Sequence, residues 1–171
     1  RDETNTILRV NAGEVTFDLF TDDGAAVTHH TYELIGDGPG PADTVIIAEE
    51  GNAILNINGG TVGVTDLMAI GDRSGASGVV TVAGNGSAMN SDRLRVGSSG
   101  QGALEIATGG HVDSARGSIA TTPGSSGTGT VTGAGSKWTL NDLAVGSAGD
   151  ATLNVEDGGQ VTSSNGYIGE D

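Results

Sequence analysis

The sequence predicts an all-β chain, a right-handed parallel β-helix (solenoid) wound in coils of about 24–25 residues. Three observations carry that prediction. The pair Gly59-Gly60 recurs as Gly109-Gly110 and as Gly158-Gly159, at a nearly constant spacing of roughly 50 residues. Around each copy, aliphatic residues alternate with polar ones at period two, the period of a strand with one face buried. Gly and Asn return every five to eight residues, too often for a helix to propagate.

The repeat unit is read from the copies. The first motif runs Leu55-x-Ile57-x-x-Gly-Gly-x-Val62, then Leu104-x-Ile106-x-x-Gly-Gly-x-Val112, then Leu153-x-Val155-x-x-Gly-Gly-x-Val161. A second motif, Val82-Ala-Gly-Asn-Gly-Ser87, returns at the same interval as Val131-Thr-Gly-Ala-Gly-Ser136. Both lead into one tail, as in Met68-x-Ile70-Gly71, Leu94-x-Val96-Gly97 and Leu143-x-Val145-Gly146. The long unit is therefore two half-units of almost equal length, since Val80 falls midway between Leu55 and Leu104. Each half-unit is expected to make one coil of about three short strands, with glycine corners supplying positive φ. Stacked coils pair their strands in parallel at roughly 4.8 Å, so about five coils give a rod of roughly 24 Å. The inward Leu, Ile and Val then bury a continuous core that one coil alone has no means to bury.

Residues 1–50 read differently. They hold 11 acidic, 2 basic and 5 Gly residues, against 11 acidic, 5 basic and 26 Gly in 51–171. Strand-like runs occur at Ile7–Val10, Val15–Phe20 and Tyr32–Ile35. Val45-Ile46-Ile47-Ala48 stands where a half-unit tail belongs, with Ile47 about one coil before Ile70. The expected organisation is an irregular β cap or assembly segment over 1–50, followed by the array over 51–171.

Composition excludes several function classes. The formal net charge of −15 repels nucleic acid and anionic membrane surfaces. With no Cys, disulfides, thiolate metal sites and a cysteine nucleophile are ruled out. Apolar runs reach four residues at most, so no membrane-inserting helix is expected. The chain starts Arg1-Asp2-Glu3 with neither Met nor a signal-like apolar stretch, which reads as a mature or excised piece.

On Gly102-Ala-Leu-Glu-Ile106, Gly109-Gly110, Val131-Thr-Gly-Ala-Gly-Ser-Lys-Trp138 and Leu143-Ala-Val145-Gly146, with their copies, the array resembles the repeat of autotransporter passenger regions of type V secretion and of surface proteins carrying PEP-CTERM sorting signals. That resemblance covers roughly 51–171. It implies an exported β-helical stalk that displays or constitutes a surface structure, and it carries no catalytic residues across.

Candidate chemistry is sparse. Asp22, Asp23, Asp37 and Asp43 are placed in loops, and their clustered oxygens make them the calcium candidates, although no EF-hand or calcium β-roll spacing occurs. Catalytic, cofactor-binding and other metal residues are expected to be none. His29 and His30 are adjacent, so on a strand they face opposite ways and do not clamp one metal. His111 precedes an inward Val and is read as outward and solvated. Trp138 aligns with Met89 and Val161 and is read as core. Ser87 and Ser136 have no recurring His to activate them and are read as turn hydroxyls. Gly71-Asp72-Arg73-Ser74-Gly75 is read as a turn, and Thr121–Ser126 as a flexible corner. The five basic residues of the array look scattered.

The expected function is a non-catalytic extracellular structural or adhesive segment, exported to the cell surface, meeting a host or matrix surface. A subunit of a fibre joined end to end by copies of itself is the alternative, and a polysaccharide-active enzyme the third reading.

Overall fold

The array's period-two pattern does form strands, and glycine corners do break them. The computed structural model describes residues 7–10, 13–18, 30–33 and 42–169, with side chains from Thr44 onward. Fourteen strands and no helix occupy the described residues. Four precede the array: β1 (Ile7–Val10), β2 (Gly13–Asp18), β3 (His30–Glu33) and β4 (Ala42–Ile47). Within the array, shorter and longer strands alternate. The short ones are β5 (Asn52–Asn58), β7 (Ser77–Ala83), β9 (Gln101–Ala107), β11 (Ser126–Thr132) and β13 (Asp150–Glu156). The long ones are β6 (Gly60–Ile70), β8 (Ala88–Val96), β10 (His111–Ile119), β12 (Lys137–Val145) and β14 (Gln160–Ile168).

Two parallel sheets result. One is ordered β13-β11-β9-β7-β5-β2, and the other β1-β4-β6-β8-β10-β12-β14 with β3 also on β6. Short strands stack in register, Asn52 on Ser77, Ser77 on Gln101, Gln101 on Ser126 and Ser126 on Asp150. Successive steps alternate between a longer and a shorter coil that differ by a single residue, as the half-units predict. The chain is a parallel β-solenoid of about five turns.

The ladders also cross Gly51. β2 lies on β5 with Val15 on Leu55, while β3 and β4 pair with successive halves of β6, one after the other along its length. Ile47 pairs with Ile70, as the tail spacing predicts.

A coil contains two hydrogen-bonded strands, not the three expected. The long strand does the work of two because its alternation loses phase midway: Met89 and Ser91 are buried, then Leu94 and Val96. The ladder passes over Asp92, Ala115 and Asn141 at that point. No glycine or turn motif is needed for such a single-residue slip, and therefore none marks it.

The two glycines of each pair have different tasks. Gly109 has φ 88°, a conformation costly for any residue with a Cβ. Gly110 does not; a Cβ there would overlap the Val82 carbonyl oxygen of the coil beneath. So the first glycine turns the chain and the second lets two coils approach. The expectation that both served positive φ holds only for the first.

The serines of the longer corner seal the coils together. Ser87 Oγ accepts the Gly59 N–H (2.6 Å) and donates to the Ala83 carbonyl. Ser136 Oγ accepts the Gly109 N–H (3.0 Å). Both serines are buried, and each satisfies a backbone donor one coil away that would otherwise be orphaned. The Thr121–Ser126 corner is tied down, not loose: Thr121 and Thr122 hydroxyls donate to the Ser98 carbonyl at 2.8 and 2.9 Å.

Between the sheets runs one aliphatic core, including Leu55, Val80, Leu104, Ile57, Val82, Ile106 and Val131. Trp138 is fully buried in it, stacked between Val112 and Val161, and its Nε1–H donates to Ser114 Oγ (3.2 Å). Room for the indole comes from neighbouring ladders. Gly117 stands where Leu94 and Leu143 stand, and Gly129 where Leu104 and Leu153 stand. A Cβ on Gly117 would lie 2.8 Å from Trp138 Cζ2.

Gly117→Leu, although it restores the residue of the adjacent coils, is expected to destabilise the fold by about 1–3 kcal/mol through overpacking. Combined with Trp138→Val, most of that loss should return, giving strongly non-additive urea-unfolding free energies. Additive losses would show that the glycine does not serve the indole.

Candidate functional site

The outer faces of the sheets carry the chemistry, and the slip in the long strand organises it. Beyond the slip, the positions that alternate with the core ladders stack as two rows, at least partly exposed from Arg93 and Arg95 onward, while Ala69 is fully buried. One row runs Leu67, Arg93, Arg116, Asp142, Asn165, and the other Ala69, Arg95, Ser118, Ala144, Tyr167. Scattered along the sequence, three of the array's five basic residues stand together here. Aligning the half-units puts Arg93 and Arg116 in one column, a signal that was present but needed the register to be read.

Each of these two arginines reaches back one coil. Arg93 grips Asp66 with two nitrogens, at 2.5–3.0 Å, and Arg116 holds Asp92 at 2.7 Å. Two coils further on, Asn165 donates to Asp142 (2.7 Å). The arginines' acceptors lie one residue before the row, so the slip creates the diagonal that these pairs span. Hydrogen bonding to Asp66 holds the Arg93 guanidinium above its ordinary pKa, against a smaller opposing effect of burial. It stays charged throughout the working pH range, so the stitch contributes no pH dependence through the arginine. Side-chain exposures of 35% for Arg93 and 47% for Asp66 limit such a pair to a fraction of a kcal/mol.

Around the second row lies an open depression of about 340 Å³, lined by residues that include Arg95, Arg116, Ser118, Asp142 and Tyr167. Arg95 and the Tyr167 hydroxyl make no hydrogen bond or ion pair with the described residues.

The other sequence candidates fall elsewhere. Asp22, Asp23 and Asp37 lie outside the described residues, as does His29. Asp43 is not in a loop: it belongs to β4, because the apolar run Val45-Ile46-Ile47 pairs with β6 and draws the preceding residues into the strand, with a register shift between Ala42 and Thr44. Glu49 and Glu50 converge on Arg73, at 2.7 and 2.9 Å. Gly71–Gly75 is a turn, closed by Ala76 N–H donating to the Arg73 carbonyl (2.9 Å). His111 is exposed, with Nε2 3.1 Å from the Gly135 carbonyl oxygen. Among the described residues, no three His, Asp or Glu side chains group as metal ligands.

Compared with family models, curated proteins and solved structures, the chain has no match in any of the three.

Asp66→Asn should cost under about 1 kcal/mol in urea unfolding, and the loss should shrink in high salt. A loss of several kcal/mol would mean the stitch is a main support of the stack.

Proposed function

We propose that this chain is a non-catalytic structural segment of an exported surface protein, a spacer that holds and displays other parts at a distance. One observation carries the reading. What recurs from coil to coil is what holds coil on coil: inward aliphatics, corner glycines, and the Ser87 and Ser136 hydroxyls. What faces outward recurs less strictly. On the short-strand sheet one outward column reads Ile54, Val79, Ala103, Thr128 and Thr152, with no residue repeated at the two-coil interval. A stack built from recurrent supports and variable surface extends by adding units, each contributing roughly 4.8 Å. Its acidic surface keeps such a rod soluble and resistant to random association. The likeness of the repeat to autotransporter and PEP-CTERM surface proteins supports export.

A second reading is favoured by the last coil. Among the described residues, β13 and β14 each pair with a strand on one side only, and Ile168 is 85% exposed, Val155 48% and Tyr167 49%, an edge that either a further coil of the same chain or another copy would cover. Open parallel edges accept another coil, and end-to-end contacts that do not close build filaments.

Protease shaving of intact cells that make the protein should release peptides of this segment before any cytoplasmic marker. Recovery only from the lysed interior would end the surface reading. In sedimentation velocity the isolated chain should stay an elongated monomer; concentration-dependent growth into filaments would favour the second reading.

A further inference from the structure

The outward row Arg95, Ser118, Ala144, Tyr167 is a trough with built ends. In register, Arg95 stacks on Ser118, Ser118 on Ala144 and Ala144 on Tyr167. Three steps between parallel strands make it roughly 14 Å long. The two central residues are small, so the floor is low, while an arginine and an aromatic ring rise at either end. Arg116 and Asp142, neighbours in the adjoining row, form one flank.

The charges along the trough are unequal. Arg93 and Arg116 are already bonded to Asp66 and Asp92. Arg95 has no acidic partner among the described residues, and its row neighbours are Ala69 and Ser118. Among the described residues, this leaves the guanidinium at one end of the trough without an acidic neighbour. Asp142 accepts one hydrogen bond from the neutral Asn165 and keeps further acceptor capacity toward the trough. Tyr167 offers half its surface, a ring face and a hydroxyl.

We infer that this trough binds a short acidic oligosaccharide of the uronic-acid type, two or three residues long. Its carboxylate is held by Arg95, its hydroxyls donate to Asp142, and the C–H face of a sugar ring stacks on Tyr167. A peptide strand is a poorer occupant, because the trough lies on the face of a sheet whose backbone groups are spent on the neighbouring coils. A sugar chain needs no backbone partner, and the spacing of its rings is close to that of stacked strands. A bare anion would use Arg95 alone and leave the rest of the trough unused. This inference goes beyond the structural role and stands or falls separately from it.

Titration calorimetry of the full chain with trigalacturonate, cellotriose and inorganic sulfate tests it. Trigalacturonate should bind at least tenfold more tightly than either of the others. Arg95→Ala and Tyr167→Ala should each weaken it tenfold or more, and Ser118→Trp, which fills the floor and leaves both ends intact, should abolish binding. Circular dichroism should show an unchanged β signal for all three variants. Absence of trigalacturonate binding, equal binding of sulfate, or full affinity in folded Arg95→Ala would overturn the inference.

Discussion

The structure depends on vertical alignment: each inward side chain must sit over its counterpart one coil away, at the spacing the backbone ladder imposes. Hydrogen bonding fixes the coil rise, so the core adjusts only sideways. A large residue in one ladder must then be answered by small ones in the ladders beside it. Trp138 with Gly117 and Gly129 is that constraint in its sharpest form, one indole occupying space that leucines fill in the other coils. Interiors packed to crystal-like density leave no other way to place it.

The corners obey the same rule. Two kinds alternate, a Gly-Gly corner and a Gly-x-Gly-Ser corner, and longer and shorter coils alternate with them. Each brings backbone within contact of the coil below, so the second glycine of the Gly-Gly corner is chosen by proximity and the serine by the need to satisfy a buried N–H. Ala120 takes the left-handed conformation (φ 55°) where Gly71, Gly97 and Gly146 stand in the sister copies. The corner geometry is thus imposed by the stack even where the residue does not favour it.

Much of this was legible in the sequence. Recurrence of Leu, Ile, Val and the glycine pairs gave coil length and parallel stacking, and Ile47 gave the link to the residues before Gly51. The number of strands per coil was not legible, because the slip at Asp92, Ala115 and Asn141 has no common residue type. The compositional change near Gly51 does not interrupt the ladders, since β2, β3 and β4 pair across it. On the outer face, Arg93 and Arg116 find partners 27 and 24 residues away along a diagonal set by the slip. Without that slip the arginines look scattered. The trough ending at Arg95 and Tyr167 was hidden for the same reason, since each of its members stands a full coil from the next and they share no chemistry.

Register is the property to measure. The chain has no cysteine, so single pairs can be introduced without competing thiols. Thr81 and Glu105 face outward on adjacent coils and pair directly, while Val79 pairs with Ala103. A Thr81→Cys/Glu105→Cys variant places its Cα atoms about 4.8 Å apart, within disulfide reach; Val79→Cys/Glu105→Cys places them about 8 Å apart, beyond it. Under mild oxidation the first variant should lose its free thiols and the second should keep them. Closure of the second in preference to the first, or of neither, would contradict a stack of coils in this register.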